Sequence, residues 1–244
     1  ISATDSVIYL YKYRYEEVVI SAYDFKSQHV VTIDFFPGHS EKMILTEKPV
    51  IYVYSPDEVA VKVKVDQIGE MTFTYPKLEE SWKFTADTSG EITMNDGNKY
   101  PYLFWEANRS ELGATVNNHI IPGEIVAKKD IVHFLETSLL ALGLTAKEKT
   151  DFITYWGPRM QTFNNTFIQF TIDDEVGPLI GALQVDPKPD SFRRVFVRFM
   201  DANEINLFAI YTLQKQSFTS FKREGLTVVE WGGSEIHKIM LYEN

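Results

Sequence analysis

The segment "EVAVKVKV", residues 58–65, alternates with a period of two. Val59, Val61, Val63 and Val65 share one parity, and Lys62 and Lys64 take the other. Successive side chains of a strand point to opposite faces, so this segment reads as a strand with a dry and a wet face. A second layer must cover the valines. Its neighbours can supply one: "KPVIYVYS" (48–55), "MTFTYP" (71–76), "WKFTAD" (82–87), "EITM" (91–94) and "YPYLFWEA" (100–107). Turn signals separate them at Ser55-Pro56-Asp57, Ile68-Gly69-Glu70, Thr88-Ser89-Gly90 and Asn95-Asp96-Gly97. Short strands at this spacing predict an antiparallel sandwich or barrel.

Upstream, "SVIYLYKYRY" places Tyr9, Tyr11, Tyr13 and Tyr15 on one parity, and "HVVTIDFF" (29–36) is a further strand. Residues 1–46 therefore read as an N-terminal β extension. Downstream the period changes. Ile131, Phe134, Leu135, Leu139 and Leu142 fall at helical spacing, with Gly143 at the stop. Thr145 and Glu148 form a capping-box pair before a second helix, which Gly157-Pro158 is expected to end. Strands resume at 165–173, 193–200 and 226–233, while 204–216 fits strand or helix. The expected fold class is α+β: mainly antiparallel, sandwich-like β with a helical hairpin near 130–158. A β-rich half (47–126) and an α+β half (127–244) are expected to pack as one unit.

The 244 residues are 44% hydrophobic, enough for a substantial core, and the net charge is −10. An acidic chain repels phosphate backbones, which disfavours nucleic acid as a partner. No apolar run approaches the ~20 residues of a membrane helix. The absence of cysteine excludes thiol catalysis, disulfides and thiolate metal sites. The start at Ile1 suggests a processed or a trimmed N-terminus, and processing would make this a secreted or extracellular protein. Asn108 and Asn164 open Asn-X-Ser/Thr triplets, the candidate glycosylation acceptors of that setting.

"KPVIYVYSPDEVAVKVKV", "GEMTFTYPKLEESWKFTADTSGEI", "YLFWEA", "FLETSLLALGLTAKEKTDFITYWGPRM", "RVFVRF" and "GLTVVEWGG" occur in that order. Over about residues 47–235 this resembles a widespread bacterial and fungal family of secreted or uncharacterised proteins with a Lys-Pro-Val-Ile-Tyr-Leu-Tyr-Pro opening. Val53 stands where that family has Leu, and Ser55 intervenes before Pro56. The resemblance implies no catalytic roles. It does mark Trp105–Glu106, Tyr155–Trp156 and Glu230–Trp231–Gly232–Gly233 as parts of the family pattern.

Glu106 and Glu230 each adjoin a tryptophan at the end of an apolar run. Two carboxylates beside stacking rings would suit glycoside hydrolysis, one as acid and the other as nucleophile or base. The competing reading gives each Glu a structural partner, with Arg109, Arg159, Arg193 and Arg194 available. His29, His39, His119, His133 and His237 form no metal-binding spacing, so no transition metal or other cofactor is expected. Calcium at Asp173-Asp174-Glu175 or Asn95-Asp96-Gly97 is weighed against a solvated loop, which is favoured. Trp105, Tyr155, Trp156, Trp231 and Arg194 are the candidate binding residues. The leading expectation is a non-enzymatic secreted or surface protein acting through protein or glycan contacts, with a homo-oligomer contact through residues 1–46. The alternative is a glycosidase using Glu106 and Glu230.

Overall fold

The computed structural model describes residues 7–14, 17–24, 29–35, 43–110, 121–205, 213–219 and 221–236. Side chains are described from Lys48 onward, apart from those of residues 109–110. Residues 1–42 and 43–244 form two compact units. The first is a three-stranded antiparallel meander of β1 (Val7–Arg14), β2 (Glu17–Asp24) and β3 (His29–Phe35). The expected tyrosine ladder falls on side chains outside the description, as do His39, His119 and His237 and most of the ambiguous 204–216 stretch.

The second unit begins with β4 (Met43–Tyr54), β5 (Val59–Gln67), β6 (Glu70–Tyr75), β7 (Trp82–Ala86), β8 (Ile92–Met94), β9 (Lys99–Tyr100) and β10 (Leu103–Ser110). It continues with β11 (Ile121–Pro122), β12 (Glu124–Ala127), helix α1 (Ile131–Ala141), helix α2 (Ala146–Met160) and β13 (Asn165–Ile172). Last come β14 (Gly181–Asp186), β15 (Ser191–Asp201), β16 (Leu213–Gln214) and β17 (Thr227–Glu235). One sheet has seven strands in the order β12-β13-β15-β17-β4-β10-β6, and the other has five in the order β14-β5-β7-β8-β9.

The protein is therefore α+β, dominated by antiparallel sheet, with a helical hairpin. The departures from antiparallel pairing are β15–β17 and the short β11–β16 pair, both parallel. The valines of β5 do what their parity demands. Val61, Val63 and Val65 are buried and Lys62 and Lys64 are exposed. They meet Ile51, Val53, Leu103, Trp105, Phe196 and Val228 of the larger sheet in one core. The other face of the larger sheet carries α1 and α2, with Val50, Tyr52, Val197, Trp231, Leu135, Phe152 and Trp156 in a second core. The unit thus has three layers: small sheet, large sheet and helical hairpin.

The hairpin begins and turns where its residues dictate. The Glu148 amide donates to Thr145 Oγ1 (3.3 Å), and the Thr145 amide donates to Glu148 Oε2 (2.8 Å). Gly143 takes φ +82°, and Leu144 N–H closes back onto the Leu139 carbonyl at 3.0 Å. The C-terminal end differs from expectation. Pro158 lies inside α2, which runs on to Met160. Trp156 and Met160 are both fully buried, and that anchorage outweighs the lost Pro158 hydrogen bond.

At the β13 margin, Phe170 lies past the end of the β12 pairing. The Gln216 side-chain amide takes the vacant place. Its Oε1 accepts from Phe170 N–H and its Nε2 donates to Phe170 O, both at 2.8 Å.

Candidate functional site

Glu230 lies in central strand β17, directly opposite Arg194 of β15. Both are buried, 1% and 4% exposed. Arg194 Nε donates to Glu230 Oε2 at 2.6 Å, and Trp105 Nε1 reaches across β4 to Glu230 Oε1 at 3.0 Å. Arg194 Nη1 donates to Gly181 O in the smaller sheet at 2.9 Å. Asp173 Oδ1 accepts from the Arg194 amide at 3.1 Å. The carboxylate is thus closed off between the two sheets and holds them together.

Glu106 is placed differently. Along β10, Leu103, Trp105 and Ala107 enter the inter-sheet core, so Glu106 alternates to the opposite face with Phe104. The structure does not bring Glu106 and Glu230 into one cleft. Trp105, Trp156, Trp231 and Arg194 are all buried and present no contact surface. Among the described residues the indole N–H groups of Trp156 and Trp231 have no hydrogen-bond partner, so packing alone holds these rings against the cost of two unmet donors. Of the two acceptor asparagines, Asn164 is exposed and Asn108 half-buried. Asp173 is engaged by Arg194 and Arg193, and Asp96 by Asn98. Among the described residues, no three His, Asp or Glu side chains gather as a metal site would need.

Three motif segments do converge, at the end of α2. Opposite Gly232, β4 carries two residues, Lys48 and Pro49, where the ladder shifts register. A Cβ on Gly232 would lie 3.1 Å from Pro49 Cα. This bulge sets Lys48 at φ +50° and aims its amine over the Tyr155 ring (4.3 Å) and towards the Trp231 ring (5.8 Å). Arg159 lies 3.6 Å over the same Tyr155 ring. Beside it, Tyr52 donates to Asp151 Oδ2 at 2.7 Å, and Lys147 lies over Tyr52 and Tyr102. Tyr54 donates to Glu148 Oε1 at 2.8 Å, where Arg223 also binds. Sequence reasoning passed over Lys48, Tyr52 and Asp151, and read Glu148 only as a helix cap. Their one signal was the "KPVIYVY" run itself, whose polar ends cannot be read without their long-range partners.

These tyrosines carry a pH signature. Burial, then the Asp151 hydrogen bond, raises the Tyr52 pKa far above 10.0. Burial and the Glu148 charge raise that of Tyr54. Above pH 10 the unfolded chain loses these protons and the folded chain keeps them, so stability falls as pH rises. Tyr52 accounts for about 1.4 kcal/mol per pH unit, and Tyr54, nearer solvent, for less. Lys48 works in the opposite sense below 10.5, because burial lowers its pKa in the folded state. Urea midpoints at pH 9 and pH 11 should drop steeply in the wild type and less in Tyr52→Phe. Equal drops would refute the assignment.

The remaining surface of interest is at the far end of the same sheet face. There Phe104 of β10 packs on the margin of the helical core, and β6 lies outside it. A bulge at Thr72 turns Met71 towards the core and leaves Phe73 and Tyr75 outside, 54% and 56% exposed. Phe73 stacks edge-on to Phe104 (5.8 Å) and Tyr75 to Tyr100 (5.4 Å). Strand β6 ends the sheet, and among the described residues its outer edge pairs with nothing. A groove of about 480 Å³ lies beside it, lined by Val65, Met71, Phe73, Lys77 and Leu78. Comparison with family models, curated proteins and solved structures found no match to this chain.

Proposed function

We propose that this chain is a non-enzymatic binding protein of a secreted or surface setting. It contacts another protein by accepting an extended strand along β6, with Phe73 and Tyr75 as the side-chain anchors. The observation that carries the reading is this edge: a terminal strand whose outer side pairs with nothing among the described residues and which presents two aromatic rings more than half exposed. Free amides and carbonyls along an edge recruit a partner backbone, and alternate side chains add selectivity. The sealed Glu230 and the opposite placement of Glu106 favour binding over glycosidase chemistry.

The test is selection of displayed extended peptides on the full chain, beside a glycan array. The expected result is enrichment of peptides with alternating apolar residues, abolished by Phe73→Asp with Tyr75→Asp. A melting temperature near wild type should accompany that loss, because both rings are exposed. Binding to glycans alone, or peptide binding indifferent to the two substitutions, would overturn the reading.

A further inference from the structure

Lys48 is an amine in an unusual position. It is half-buried between the rings of Tyr155 and Trp231, and its backbone is held at φ +50°. A non-glycine residue in the left-handed region costs of order 1–3 kcal/mol, and such strain gathers at working sites. Among the described residues its counter-charge is shared with other groups. Among the described residues no carboxylate forms an ion pair with it. The acid that acts on it, Asp151, accepts from Tyr52 at 2.7 Å and faces Lys147 at 3.7 Å. The Arg159 guanidinium shares the Tyr155 ring with it. Burial lowers the Lys48 pKa; Asp151 opposes that shift and Arg159 reinforces it. Amines become nucleophilic near neutral pH in such settings, desolvated and beside another cation. The ring faces pull the other way by favouring the ammonium, though by only about 0.5–2 kcal/mol.

We propose that Lys48 is a covalent modification site, whose amine captures small aldehydes as imines ahead of the other lysines of the chain. The nitrogen lone pair adds to the carbonyl carbon and the C–N bond forms. The nitrogen gives up its two protons, the carbonyl oxygen takes up two and leaves as water as the C–O bond breaks, and the nitrogen lone pair closes the C=N bond. No electron is gained or lost, so the step needs no oxidant or reductant and is reversible. Tyr155 and Trp231 supply an apolar wall that slows hydrolysis of the imine.

The experiment treats the full chain with limiting propionaldehyde and cyanoborohydride near neutral pH and maps the alkylated lysines by mass spectrometry. Hydride from the reagent fixes each imine where it formed. Lys48 should be labelled several-fold ahead of Lys215 and Lys222, whose side chains are 78% and 84% exposed. Lys147 is the internal control. It also lies over two rings, but it faces Asp151, so it should label slowly. Arg159→Gln should slow labelling at Lys48 and leave Lys215 and Lys222 unchanged. Labelling in order of exposure, or an unaltered Lys48 rate in the folded Arg159→Gln protein, overturns the proposal. The wild-type order decides alone where that variant does not fold.

Discussion

Glu230→Leu should cost about 3–5 kcal/mol, because it strands the Arg194 guanidinium in a core that excludes water. Arg194 is 4% exposed and has no route by which to find solvent in place of the lost carboxylate. Arg194→Met should cost a similar amount by leaving Glu230 charged and buried beside Trp105. The double variant Arg194→Met with Glu230→Leu is the decisive member. It removes both charges and leaves only the Trp105 indole and the Gly181 carbonyl short of a partner, at about 1–3 kcal/mol. It should therefore be more stable than either single variant. Urea unfolding of the set measures this. Additive losses would show that the two side chains do not act as a pair.

The second large effect belongs to the glycine pair after Trp231. A Cβ on Gly233 would come within 2.5 Å of Val197 Cγ1, 2.7 Å of the Val197 carbonyl and 2.8 Å of Trp156 Cζ2. The carbonyl belongs to central strand β15 and the indole is fully buried, so neither can move aside cheaply. Gly233→Ala should lose about 3 kcal/mol, the upper range for overpacking. Gly232→Ala meets Pro49 at 3.1–3.2 Å and should lose clearly less. Equal losses in the two variants, read from thermal melts, would contradict this account of the motif.

What could be read from the chain follows from how local each signal is. Val61, Val63 and Val65 announce their own face, and Thr145 with Glu148 announces a helix start three residues apart. The glutamates needed more. "WEA" and "VEW" look alike in sequence. In β10 the Trp points inward and the Glu falls on the face beyond the helices. In β17 both neighbours are buried, because that central strand is covered on each side. Only the strand order distinguishes the two cases. The parallel β15–β17 register, which sets Arg194 against Glu230, is equally invisible to local pattern. The same holds for the buried tryptophans. Aromatic excess reads as a surface for recognition or as a core, and three of the candidate rings went to the core.

The Gln216 side chain gives the large sheet a direction of growth. By filling the Phe170 backbone sites, it closes the stretch of β13 that β12 leaves bare. An incoming strand at that end is confined to the four residues of β12, whereas β6 at the opposite end offers six. Strand addition to this sheet should accordingly take place at β6.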